Sequence, residues 1–119
     1  MSYIEPSAEQ IKEFMQMPDD GPIVMVNLLK FKPEGGAEAY ARYAAATTKC
    51  LQAVGGRLIY RGRYRMPVIG DDDWDVILLV EYPSIAAFFE MQRNEDYRAV
   101  LHYRTEALTD SRLWLTKQE

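Results

Sequence analysis

A single cysteine, Cys50, and a single histidine, His102, occur in 119 residues. One cysteine excludes an intrachain disulfide and a thiolate zinc cluster. One histidine excludes a histidine-rich metal centre, so neither a metal site nor a cofactor is expected. No apolar run approaches the ~18 residues that read as a membrane span. Residues 1–6 lack the basic start and apolar core of a secretion signal, so a cytoplasmic protein with no membrane contact is expected. Cations are also in deficit, 14 Lys and Arg against 18 Asp and Glu, for a net charge of −4. That balance argues against a nucleic-acid platform. There is no glycine-rich phosphate loop, no nucleophile elbow, no internal repeat and no linker. What is present, 48% hydrophobic and 27% charged residues, is the composition of one folded domain.

Punctuation along the chain defines the elements. Ser7 followed by Gln10 reads as a capping box opening a short helix with Ile11, Phe14 and Met15 on its apolar side. Pro18 to Pro22 stops it, and residues 1–21 form a helical extension to a core at 22–117. Ile23 to Phe31 is short, partly β-branched and bounded by turn residues, hence a strand. Its two alternating sets of side chains are both apolar, as in a strand covered on both faces. Ala37 to Val54 reads as a helix with Tyr40, Tyr43, Ala44, Thr47, Leu51 and Val54 on one face, ended by Gly55-Gly56. Arg57 to Met66 and Trp74 to Tyr82 read as antiparallel strands. Ser84 caps a helix carrying Ile85, Phe88 and Phe89; Asn94 caps another carrying Tyr97, Val100, Leu101 and Arg104. Asp110 to Thr116 is a final strand.

The order is one helix, then β-α-β-β-α-β. This is an α+β, ferredoxin-like arrangement with a four-stranded antiparallel sheet and its helices on one face. The central strands are apolar on the other face too, and the first helix is too short to cover it. Apolar patches above a few hundred Å² are rare on monomers, so a second copy packed sheet to sheet, a homodimer, is expected.

Five segments carry a family resemblance: Val26-Asn27-Leu28-Leu29-Lys30-Phe31, Tyr40-Ala41-Arg42-Tyr43, Gly55-Gly56-Arg57, Val80-Glu81-Tyr82-Pro83-Ser84, and Tyr97-Arg98 with Arg104. With this order and spacing the chain resembles the dimeric α/β-barrel superfamily and, within it, the domain of unknown function 1330 family. Tyr82 stands where many members have Phe. The resemblance implies a fold and a dimer rather than an activity. The wider superfamily includes cofactor-independent monooxygenases and haem-degrading enzymes. The latter comparison points to Asn27, Trp74 and His102, whose local context here does not match.

Candidate residues are few. His102 is the one imidazole available as a general base, but the helical spacing turns it away from the Tyr97–Arg104 face. Arg104 on that apolar face needs a carboxylate, a helix-end carbonyl or an anionic ligand. Glu81 shares strand parity with Ile77 and Leu79. It either pairs with an arginine, Arg104 among them, or acts as an acid or base of raised pKa. Asn27 interrupts an apolar strand and either bonds to a neighbour or points into a pocket. Arg57, Arg61, Arg63 and Arg65 share one parity on a strand expected at the sheet edge, where charge discourages aggregation. Alternatively Arg61 or Arg63 holds a carboxylate or phosphate at a cavity mouth. Tyr40, Tyr43 and Tyr97 offer phenols to the core or to a ligand. Cys50 reads as a buried, inert thiol, and Asp71-Asp72-Asp73 lacks the spacing of a calcium loop. The catalytic candidates are thus Glu81, Arg104 and His102. The ligand-binding set is Asn27, Tyr40, Tyr43, Arg61, Glu81, Tyr97 and Arg104, around a cavity between sheet and helices for a small, anionic or aromatic molecule. A non-catalytic dimer binding a ligand or partner is the competing reading.

Overall fold

The computed structural model describes residues 2–119. Its elements are α1 (Ala8–Gln16), β1 (Ile23–Phe31), α2 (Gly36–Ala53), β2 (Arg57–Arg63), β3 (Val76–Tyr82), α3 (Ile85–Arg93), α4 (Glu95–Ala107) and β4 (Leu108–Thr116). The sheet order is β2-β3-β1-β4, antiparallel throughout. This is the ferredoxin-like α+β arrangement with one additional helix in front.

Local chemistry explains the element ends. Ser7 accepts from the Gln10 backbone at 3.1 Å while the Gln10 side chain accepts from the Ser7 N–H at 3.0 Å, a complete capping box. Ser84 accepts from Ala87 at 2.9 Å, and Asn94 from Asp96 at 2.8 Å and Tyr97 at 3.1 Å. At the end of α2, Gly55 (φ +80°) takes the left-handed conformation that glycine adopts without strain. The Gly55 and Gly56 N–H groups then close a Schellman motif onto Gln52 and Leu51 at 3.0 and 2.9 Å. Gly36 starts α2 so close to α4 that a Cβ would lie 2.7 Å from the Ala107 carbonyl.

One face of the sheet is packed. Ile23 and Met25 of β1 and Tyr82 of β3 join Cys50, Ile85, Phe88, Met91 and Tyr97 in one cluster. Leu29, Val76 and Leu78 join Ala39, Tyr40, Ala107 and Leu108 in a second. Helix α1 lies on this side, with the Phe14 ring 5.2 Å from Phe88 and 4.8 Å from Phe89. Asp19 then latches the following loop to the α3 N-terminus, accepting from Ile85 at 2.8 Å and Ala86 at 3.1 Å. The opposite face carries Val26, Leu28, Ile77 and Leu79, all partly exposed, with Trp114 51% and Tyr60 53% exposed. Of the apolar side chains on that face, Val24 is buried.

Four expectations are corrected. Strand β2 ends at Arg63 instead of Met66, and β3 begins at Val76 instead of Trp74, because pairing lapses in the loop that holds Pro67 and Asp71–Asp73. Strand β4 begins two residues early, at Leu108. The arginines of β2 do not share one face. A register shift between Leu58 and Tyr60 puts Arg57 opposite Glu81 and Arg61 opposite Leu78, and a bulge of this kind reverses side-chain parity.

Candidate functional site

Between the two core clusters lies a polar break. Met25 (3% exposed) belongs to one cluster and Leu29 (0%) to the other. Asn27 sits between them on the same side of β1, and it is only partly buried. Its β4 partner Leu113 is 44% exposed. A central strand facing its own helical layer should be dry at this point. The helices therefore leave a gap over Asn27 and Leu113. The Asn27 amide donates to the Met25 carbonyl at 3.3 Å, and its side-chain oxygen accepts from no group among the described residues.

On the same sheet face, α2 and α4 bring further polar groups together. Tyr43 and Tyr97 meet hydroxyl to hydroxyl at 2.6 Å. One phenol donates to the other, which leaves one phenolic proton without an acceptor among the described residues. Tyr40 is buried, its ring 5.3 Å from that of Tyr43, and its hydroxyl likewise has no hydrogen-bond partner among the described residues. Arg104 donates from Nη1 to the Ile4 carbonyl at 2.9 Å. Among the described residues no carboxylate pairs with it, although its guanidinium is partly buried and close enough to Tyr40 and Tyr43 to hold their pKa values down. Burial still dominates, pushing Tyr40 up to about 12 and Tyr43 well above the usual phenol value, with Tyr97 and Tyr40 adding to the latter. These phenols stay neutral donors at any physiological pH. The gap thus collects hydrogen-bond donors and one cation, the complement of an anionic or acceptor-rich molecule.

The remaining candidates lie elsewhere. Glu81 is on the opposite face of the sheet, paired with Arg57 Nε at 2.9 Å. It is therefore no partner of Arg104 and no part of a cavity beneath the helices. Among the described residues Arg104 has no salt bridge and caps no α4 carbonyl; its partner is a carbonyl a hundred residues away in sequence. His102 is exposed on α4, its ring 4.2 Å from that of Tyr103. Asn27, Trp74 and His102 do not converge: Trp74 lies under the Arg112 guanidinium, which is on the face opposite Asn27. Arg61 lines a cleft at the β2 edge, on the same sheet face as Asn27, both opposite Leu78, and with Arg104 it opposes the rise that burial gives the Tyr40 pKa. Cys50 is buried in the core. Among the described residues no three His, Cys, Asp or Glu are placed to hold a metal ion, and no helix is long and apolar enough to cross a membrane. Ile4 and Leu113 are the site residues that sequence reasoning missed. Ile4 carries no side-chain signal because its carbonyl makes the contact.

The fold and the polar gap beneath its helices define a ferredoxin-like α+β protein with a candidate small-molecule site. The sequence profile of the family described as "Domain of unknown function (DUF1330)" matches residues 35–117. The chain belongs to that family. It is similar to a protein of unknown function from Rhodopseudomonas palustris, 36% identical over 100% of this chain and 98% of that one, with a TM-score of 0.94. A dimeric ferredoxin-like protein of unknown function from Thermobifida fusca shares the fold, at 14% identity over 86% and 100% of the two chains and a TM-score of 0.57. So does SnoaB, a cofactor-independent oxygenase from Streptomyces nogalater, at 16% identity over 84% and 95% and a TM-score of 0.57. No curated protein matches the sequence.

Proposed function

We propose that the protein is a homodimer that binds a small carboxylic acid with an apolar or aromatic body in the gap between sheet and helices. The observation that carries the binding reading is Arg104: a partly buried arginine with no carboxylate partner among the described residues, beside phenols with protons to donate. Arg104 takes the carboxylate, Asn27 and the Tyr43–Tyr97 pair take polar substituents, and Leu113 contacts the body. The dimer reading is supported by the apolar open face, which α1 does not cover, and by the dimeric relative from Thermobifida fusca.

Binding without turnover is favoured over an oxygenase reaction of the SnoaB kind, because the side chains around the gap hold no base. Burial raises Tyr40 and Tyr43 in pKa and Arg104 is a guanidinium cation, while Glu81 and His102 face away from it. The test is a thermal-shift screen of benzoate, salicylate, short 2-oxo acids, a quinone and haem. A ligand at about a hundred times its Kd adds about 2.7 kcal/mol to stability, a shift of roughly 10 °C for a domain of this size. An acid should raise the midpoint of the wild type and leave Arg104→Gln unmoved. A shift by haem or the quinone alone would overturn the assignment.

A further inference from the structure

A second group of cations lies at the β2 edge of the same sheet face, across Tyr40 from Arg104. A cleft of about 750 Å³ is lined by Lys30, Lys32, Arg61, Arg63, Phe31 and Tyr64, with Asp75 as its one carboxylate. Lys30 is engaged by Asp73 at 2.9 Å and Asp75 at 3.8 Å. Among the described residues Lys32, Arg61 and Arg63 have no ion-pair partner. This concentration of uncompensated positive charge occurs in a chain of net charge −4.

We propose that this cleft binds a small phosphate ester. Arg61 and Arg63 lie opposite Leu78 and Val76, on the same side of β2. Two strand positions set their backbones about 7 Å apart, so an anion between them relieves the repulsion of two like charges. Guanidinium groups suit the paired oxygens of a phosphate, and Lys32 adds a third charge. Three free cations match a dianion better than the single charge of a carboxylate. The volume is larger than a bare phosphate needs, and Phe31 and Tyr64 supply apolar walls for an organic body. Charge that merely protects a sheet edge needs no concave floor, and Arg57, on the same edge strand, already has its own partner in Glu81.

The test is isothermal titration calorimetry of the full chain with phenyl phosphate and inorganic phosphate at low salt. Phenyl phosphate should bind more tightly than inorganic phosphate. Arg61→Gln and Arg63→Gln should each weaken it by about tenfold or more, the usual loss of a charge-assisted contact. Arg57→Gln removes the same charge from the same strand on the other face and should change binding less than about twofold; equal weakening would show a diffuse field and overturn the proposal. Absence of millimolar binding would also overturn it. Loss of binding in Arg104→Gln with none in Arg61→Gln would assign the phosphate to the other gap and have the same consequence. Tighter binding of a single-stranded oligonucleotide than of phenyl phosphate would replace the small ligand with nucleic acid. Unchanged circular dichroism and melting of the exposed-site variants separate these outcomes from misfolding.

Discussion

Replacing Leu79 with Glu tests whether a second copy covers the open face. Leu79 lies on the central strand β3, partly exposed, facing the same side as its neighbours Val26 on β1 and Tyr60 on β2. In an isolated chain the substitution costs little, since the side chain already meets water. In a two-fold dimer it acts twice. Each copy forfeits about 2 kcal/mol of leucine burial, and each buries a carboxylate without a partner at about 2 kcal/mol or more. The dimer is then weakened by about 8 kcal/mol, close to a millionfold in dissociation constant. Sedimentation equilibrium at micromolar concentration should find the wild type at twice the 13.7 kDa chain mass and Leu79→Glu at the chain mass, with unchanged helix and strand content. A wild-type monomer, or a Leu79→Glu protein that remains dimeric with its fold intact, would rule out burial of this face by a second copy.

Further expectations concern stability. Burial raises Tyr40 to about 12 and also raises Tyr43 and Tyr82 above the ordinary phenol value. Their neutral forms stabilise the fold fully below about pH 10, and that contribution disappears as pH rises through the folded values. Absorbance at 295 nm should therefore show Tyr40, Tyr43 and Tyr82 ionising only together with unfolding. Burial works against the Asp110 carboxylate, but the N–H groups of Tyr3 and Ser111 and the Arg112 guanidinium outweigh it and hold its pKa below the usual value. Its stabilisation is present above about pH 4 and is lost as pH falls through the depressed value; acid unfolding curves of wild type and Asp110→Asn should converge there. Gly36→Ala places a methyl against the Ala107 carbonyl and should cost about 1–3 kcal/mol in urea unfolding. Ser84→Ala removes the α3 cap and should cost about 1 kcal/mol.

Sequence periodicity and capping chemistry carried most of the architecture. The bounds of β1, the capping box at Ser7, the caps at Ser84 and Asn94 and the glycine stop after α2 were all legible, because each is a signal within a few residues. The bulge in β2 was not legible: Ile59 looks like any strand residue, yet it sends Arg57 and Arg61 to opposite faces. Glu81 and Arg104 lie on opposite sides of the sheet for a different reason: Glu81 shares the parity of Ile77 and Leu79 on the open face, whereas α4 packs on the Met25 and Leu29 face. The contact between Arg104 and the Ile4 carbonyl was hidden because a backbone acceptor leaves no mark in the sequence. Asn27 was visible as an interruption of an apolar strand. The gap above it was not, since it depends on how α2 and α4 sit over the sheet. The cationic cleft was half visible in Arg61 and Arg63, whereas Lys32 and the walls of Phe31 and Tyr64 reach it from β1 and the segments that follow β1 and β2.

The proposed ligand is a small acid whose carboxylate Arg104 and the polar gap beside it receive. The most direct measurement is an NMR titration of isotope-labelled protein with the acid that most raises the melting midpoint, following the Arg104 Nε–H and Asn27 side-chain amide signals. Both should move and saturate together with one dissociation constant, while the Arg57 Nε–H signal stays fixed. Saturable binding that moves the Arg61 and Arg63 signals and leaves Arg104 and Asn27 unmoved would rule out Arg104 as the receptor of the acid.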